Sequence, residues 1–224
     1  MTEALPFLDP IHKIPGVRAT WIERFPEIPI TGDRAEAMNQ LRPLHEAAVK
    51  AFSPHAKSWW RAEQIHSAEV STVPGASQIL APDGLPVVPH VDGLITSTPG
   101  IVLGIYVADC GAIWLADRKT GAIGLLHSGK KGTEGNILQN ALHAMKRDFG
   151  TLPENVTAVL SPCIRPPYYE IDFAADIARQ AEAAGLGEFL DCGLDTAADL
   201  RRFYSYRTEL GKTGRMLALI TRDS

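Results

Sequence analysis

Cys110 and His127 are the residues whose types and spacing point most directly to shared chemistry. Cys110 ends the run IVLGIYVADC, and His127 ends AIGLLH. The intervening DRKTG is turn chemistry, so the flanking segments read as a hairpin tipped at Arg118 to Thr120. A four-residue turn pairs Asp117 with Ala122, and that register sets Ala112 opposite His127. Cys110 lies two residues before Ala112 and therefore shares its face. Diagonal neighbours of this kind have β-carbons roughly 7 to 8 Å apart, within reach of one metal ion or of one another. A slip of one residue would send the two side chains to opposite faces, and a bulge at Gly111 could cause or correct such a slip.

A metal needs a third ligand, and His66 in EQIHSAEV lies on a segment that can run beside the hairpin. A His-Cys-His set leaves the fourth tetrahedral position of Zn²⁺ open, as in catalytic zinc sites, where bound water ionises near neutral pH and attacks electrophiles. Other readings of the same residues stay open. A buried strand-end cysteine is commonly a small core hydrophobe, and a strand histidine commonly serves packing. Cys163 competes as a ligand. Cys110 and His127 also suit a metal-free nucleophile and base, with Asp109 or His66 as orienter.

A second candidate is the glycine-rich loop from Ser128 to Asn136. Gly129, Gly132 and Gly135 allow backbone amides close to a ligand, and Lys130 and Lys131 add charge before a helix. The loop does not match the GxxxxGK[ST] phosphate motif, and a solvated turn with two surface lysines explains it equally. Arg207 and Arg215, near the carboxyl end, are further candidates for holding an anion. The paired aromatics Trp59 and Trp60, and Tyr168 and Tyr169, read as core and rim.

These residues must be placed by the elements around them. Ile101 to Ala116 is apolar at nearly every position, the pattern of a strand buried on both faces, here interrupted at Asp109, Cys110 and Gly111. A short strand is predicted around Arg18 to Ile22. A helix with Asp33 as N-cap carries Met38, Leu41, His45, Ala48 and Phe52, with Pro43 as a candidate kink. Trp59 to Val70 reads as a strand or hairpin arm, and 81–90 as a loop. Further helices are predicted from Thr133 to a stop at Gly150, and from Asp172 to Ala184. A strand is expected at Val156 to Leu160, and a terminal hairpin from Arg202 to Arg207 and Arg215 to Thr221. The sum is an α+β fold, one domain over residues 1–224 with central β-sheets packed between helices.

Composition narrows the function classes. The 224 residues are 45% hydrophobic and 21% charged, a globular balance. Lys and Arg total 22 against 26 Asp and Glu, so the net charge of −4 offers no footprint for nucleic acid or anionic lipid. Any anionic substrate must be met by local charge. Three scattered cysteines without a CxxC pair exclude a disulfide framework or zinc ribbon and fit a reducing compartment. With no signal-like amino terminus and no apolar run of membrane-spanning length, the expected location is cytoplasmic.

Taken together, QIH at 64–66, DGLIT at 92–96, ADC at 108–110, HSGKKGT from His127, SPCI at 161–164, YE at 169–170 and the SYR and TGR near the end resemble the laccase-domain, YfiH-like family, long labelled multicopper polyphenol oxidases. The resemblance runs in order from about Trp59 to Ile220, which leaves residues 1–58 the least family-typical. It implies a zinc site on His66, Cys110 and His127: the pair reached by register and spacing, with the histidine weighed above as third ligand. It also implies a purine nucleoside enzyme, cleaving adenosine, inosine or methylthioadenosine with phosphate and deaminating adenosine. A role in peptidoglycan precursor editing is a further implication for bacterial relatives. Copper fits less well, because one His-Cys-His set cannot supply several copper centres. Lys131 and Arg207 then become candidate phosphate holders, and Gln64 a residue that orients substrate or a ligand. The loop departs from the family's usual HAGWRGT: Lys130 and Lys131 stand where Trp and Arg are usual, which removes a stacking surface and a bidentate fork. The expected partners are a small nucleoside and phosphate, with neither nucleic acid nor membrane.

Overall fold

The computed structural model describes residues 5–30 and 32–223. In chain order, a short helix α1 (Asp9–His12) leads into β1 (Val17–Ile22), the long helix α2 (Arg34–Phe52), β2 (Ser58–Arg61), β3 (Val70–Thr72), β4 (Ile79–Leu80), β5 (Pro86–Val87) and β6 (Gly93–Thr96). There follow β7 (Ile101–Val107), β8 (Gly111–Asp117), β9 (Ile123–Ser128), the helices α3 (Lys130–Glu134) and α4 (Ile137–Phe149), β10 (Val156–Leu160), α5 (Phe173–Ala183), β11 (Glu188–Asp191) and β12 (Met216–Arg222).

Two sheets face each other. One has the order β1-β12-β7-β2, the other β11-β10-β8-β9-β6-β3, and β4 and β5 form a small separate ribbon. Alternation along the strands explains the layering. Leu103 and Ile105 of β7, Trp114 and Ala116 of β8, and Ala218 of β12 point into the space between the sheets. The other parity of the four-stranded sheet, Val102, Tyr106 and Leu219, meets Met38 and Val49 of α2. On the six-stranded sheet, Ile113, Leu115 and Leu126 meet Leu138 and Leu142 of α4 and Ile177 of α5. Because each sheet is covered on both faces, its strands read as continuous apolar runs rather than alternating ones. The result is the expected α+β architecture, helix on sheet on sheet on helices. Among the described residues, no helix is long and apolar enough to cross a membrane.

Several elements differ from the sequence reading, each for a local reason. The apolar run 101–116 is two strands in different sheets: Asp109 adopts a left-handed backbone, φ 83°, and turns the chain from β7 across to β8. The stretch from Trp59 to Val70 likewise splits into β2 in one sheet and β3 in the other. The helix predicted from Thr133 is α3 and α4, divided at Gly135 and Asn136. Asn136 takes φ 53° and its side chain accepts the Gln139 N–H, so it ends one helix and caps the next. Residues 81–90 include β5, paired with β4. No terminal hairpin forms; β12 pairs with β1 and β7, while Phe203 and Tyr204 of the segment before it are buried as core anchors. The remaining predictions hold closely: α2 starts at Asp33, whose carboxylate accepts the Glu36 N–H, and runs unbroken through Pro43.

Candidate functional site

The hairpin of β8 and β9 has the register inferred from its turn. The Asp117 N–H donates to the Ala122 carbonyl, and Ala112 pairs with His127. Cys110, just before β8, and His127, near the end of β9, therefore extend the inward-facing rows and emerge at the mouth of the core between the sheets. His66 arrives on the loop that crosses from β2 to β3. Its backbone is left-handed, φ 64°, as is that of Gln64, φ 62°. Two non-glycine residues so placed must be held by their surroundings. Gln64 is held by a two-point bond: its Nε2 donates to the Tyr106 carbonyl at 2.5 Å and its Oε1 accepts the Tyr106 N–H at 2.9 Å. Its amide is thus occupied by backbone and acts as a strut beside the site.

Asp92 holds the rest. Its Oδ1 accepts the His66 N–H at 3.0 Å and faces His127 Nδ1 at 2.7 Å; its Oδ2 accepts the Ser67 N–H and hydroxyl. Burial alone would raise this carboxyl, but the bonds to His127 and Ser67 outweigh it and hold Asp92 below the usual carboxylate range. A single fully buried carboxylate therefore fixes both the loop of His66 and the ring of His127. The sequence reading did not single out Asp92. The available signal was parity: Asp92 precedes β6 on the same face as inward Leu94, and the pairing of β6 with β9 carries it opposite His127.

The donor atoms of His66, Cys110 and His127 all lie within 4.8 Å of one another, and the two imidazoles meet edge to face with centroids 4.9 Å apart. Bonds of roughly 2.0 to 2.3 Å let one zinc-sized ion bridge such a span with little side-chain movement. With Nδ1 committed to Asp92, Nε2 is the free nitrogen of His127, and the carboxylate behind a histidine is the usual support of a metal ligand. Burial pushes the Cys110 thiol up, but the His127 imidazolium and hydrogen bonds from both histidines more than offset it and bring the thiol down to about 6. His127 moves the other way. Burial would lower it, yet Cys110 and Asp92 raise it to about 9. Without metal, these shifts favour a thiolate at Cys110 beside an imidazolium at His127; the sulfur is then in its ligand form, while metal binding would have to displace the Nε2 proton of His127. Cys163 and Cys192 behave oppositely, both pushed up by burial, and neither belongs to the cluster.

Gly129 makes room for the sulfur: a Cβ there would lie 2.4 Å from Cys110 Sγ. The residues suggested as orienters of a Cys-His pair are placed differently. Asp109 turns away from the cluster, accepting the Thr196 hydroxyl at 2.8 Å and the Arg207 N–H at 2.7 Å, and His66 stands beside Cys110 as a third donor. The carboxylate on His127 is that of Asp92.

The cluster opens onto a cavity of about 530 Å³, walled on one side by Tyr169 and Phe173. Gln64, Arg207, Arg215 and Lys130 also line it. Lys131 does not: it is exposed and outside the lining, so the loop's lysine in the cavity is Lys130. Arg207 stacks on Tyr169 at 5.0 Å and pairs with Glu170 at 2.8 Å. Arg34, from the first turn of α2, reaches the same cavity and was not foreseen, because nothing in the sequence links α2 to the β7–β8 crossing.

Known proteins resemble this chain along most of its length. It is 38% identical over 155 residues to a protein of Deinococcus radiodurans named purine nucleoside phosphorylase, covering 58% of this chain and 60% of that one. It is 28% identical over 223 residues to the purine nucleoside phosphorylase YlmD of Geobacillus stearothermophilus, covering 85% and 80%. The crystal structure of YlmD from that organism superposes with a TM-score of 0.78 at 25% identity, covering 94% of this chain and 93% of YlmD. A Bacillus licheniformis YfiH structure shares the fold, with a TM-score of 0.69 at 21% identity over 87% and 85% of the two chains. The family model described as multi-copper polyphenol oxidoreductase laccase matches residues 29–180 and 169–223, a span that holds His66, Asp92, Cys110 and His127 and every strand of the two sheets except β1; the chain belongs to that family.

Proposed function

We propose that the protein is a zinc-dependent purine nucleoside enzyme that cleaves adenosine, inosine or methylthioadenosine with phosphate and also deaminates adenosine. The observation that carries this reading is the convergence of His66, Cys110 and His127 at the floor of a cavity with an aromatic wall and cationic rim. The names of the two relatives above support the substrate class. Zinc held by these three residues would supply Lewis-acid polarisation at its open position. The rest falls to the chain's own groups. Asp92 keeps His127 in one tautomer and orientation, and Gln64 locks the backbone that carries His66. Tyr169 and Phe173, 6.2 Å apart and edge to face, offer a π surface to a purine. In phosphorolysis a phosphate oxygen forms a bond to the ribose C1′ while the bond to the purine nitrogen breaks; its electron pair leaves with the base, which takes up a proton. Among the described residues one cluster of this ligand type occurs, which supports a mononuclear site over several copper centres. Three free thiols suit a cytoplasmic, reducing setting.

Metal analysis of the purified protein, followed by chromatography of adenosine and inosine incubated with and without phosphate, tests the proposal. Wild type should carry one zinc per chain and consume nucleoside, and Cys110→Ala should lose both. Turnover that survives Cys110→Ala would sink the mechanism. A second reading, a metal-free cysteine hydrolase, is favoured by one feature, the ionised Cys110–His127–Asp92 line; stoichiometric zinc in active protein would remove it.

A further inference from the structure

Four cations line the cavity, and they differ in what they already hold. Arg207 is paired with Glu170, and Lys130 lies 4.0 Å from Glu134. Among the described residues, Arg215 and Arg34 have no carboxylate partner. Arg215 is the more telling of the two. Its Nη1 donates to the Thr213 carbonyl at 3.0 Å and to the Gly214 carbonyl at 2.7 Å, and its guanidinium lies 5.8 Å from the Tyr206 ring centre. These contacts fix one edge of the fork and leave Nε and Nη2 without an acceptor among the described residues, on a group that lines the cavity. A half-buried cation without a counter-charge is costly unless an anion completes it. Arg34 stands close enough to add repulsion: burial first, then Arg34, pulls Arg215 down to about 10. Cys110 and Asp109 offset part of this at a distance, but among the described residues neither guanidinium is in contact with a carboxylate, and two like charges lining one cavity suit a multiply charged anion.

We infer that Arg215 and Arg34 form the anion subsite of this cavity and hold a phosphoryl dianion, which in the reaction proposed above is inorganic phosphate. The assignment rests on that reading for the identity of the co-substrate but not for the subsite itself. Of the anion holders the sequence offered, it keeps Arg215, sets aside the loop lysine and Arg207, and adds Arg34 from the first turn of α2. A planar fork matches phosphate oxygens in pairs, so the charge of lysine alone should not replace Arg215.

Titration calorimetry of the zinc-loaded protein with inorganic phosphate, paired with phosphate KM measurements, tests the inference. Arg34→Ala, an exposed position that folding tolerates, should weaken phosphate about tenfold, the loss typical of a charge-assisted bond. Arg215→Met should weaken it further, and Arg215→Lys should fall between. In turnover, phosphate KM should rise in each variant while nucleoside KM stays near wild type. Phosphate bound equally by wild type, Arg34→Ala and Arg215→Met, or not bound by wild type, would overturn the subsite. The two proposals fail separately. Phosphate binding that depends on both arginines without consumption of any nucleoside leaves the subsite standing and removes the purine reading. Turnover with unchanged phosphate KM in Arg34→Ala and Arg215→Met does the reverse. Adding inosine separates the sources of the phosphoryl group: joint binding of phosphate and inosine supports free phosphate. Mutual exclusion, with a nucleoside 5′-monophosphate binding more tightly than either, would overturn that occupant.

Discussion

At the scale of single residues, the site depends on one carboxylate that coordinates nothing. Asp92 sits opposite His127 across the β6–β9 ladder, accepts from the backbone of His66, and is fully buried. Removing its charge while keeping its shape should leave the fold intact and disturb both histidines. Asp92→Asn is expected to lower zinc affinity about 10- to 100-fold in chelator competition, the range for such supporting groups. In the metal-free protein, the His127 titration followed by NMR should move down from about 9, because the Asp92 carboxylate is one of the groups that raise it. Unchanged affinity and an unmoved titration would show that the carboxylate has no hold on the ligand.

Elements place these residues, and the long helix α2 shows how packing adds a pH dependence unrelated to the chemistry. His45 lies on its inward stripe, its ring 5.6 Å from that of Phe25 and 5.1 Å from that of Tyr106. Burial, the dominant cause, lowers its pKa from 6.5 to about 4. The unfolded chain therefore binds this proton more readily than the folded one. Above pH 6.5 both states are neutral and no penalty exists; as pH falls from 6.5 to 4, stability declines, reaching a loss of about 3 kcal/mol below the folded pKa. His45→Leu should flatten this acid limb by a similar amount in urea titrations at pH 7 and pH 4. An acid limb as steep in the variant as in wild type would assign it to other groups. Tyr106 links this helix to the site, since its outward ring meets His45 while its backbone clamps Gln64.

For the whole molecule, the site exists only because two sheets are held face to face. Trp114, fully buried, carries much of that contact: it lies 6.0 Å from Trp21 and 6.1 Å from Phe7, and its indole N–H donates to the Leu219 carbonyl of the opposite sheet at 3.0 Å. Trp114→Ala should cost about 3 to 5 kcal/mol in chemical denaturation, through lost contacts and the cavity left behind. It should also weaken zinc binding indirectly, since Cys110 and His127 stand at the mouth of the same core. A destabilised variant with full zinc affinity would show the rim to be independent of the core beneath it.

The sequence by itself determined whatever depends on periodicity and on short separations along the chain. The hairpin turn DRKTG fixed the Ala112–His127 pairing, because turn length sets register and register sets faces. Asp33 and Asp172 marked helix starts through their capping carboxylates, and unbroken apolar runs announced sheets covered on both sides. Tertiary structure decided what depends on distant segments meeting. That Asp92, rather than Asp109, supports His127 follows from a cross-strand pairing with no local signature. Ile101 to Ala116 belongs to two sheets because one left-handed residue redirects the backbone, a choice its apolar neighbours do not encode. The replacement of Lys131 by Lys130 in the cavity, and the arrival of Arg34 from α2, depend on side-chain direction and helix placement, which are settled only when the layers pack.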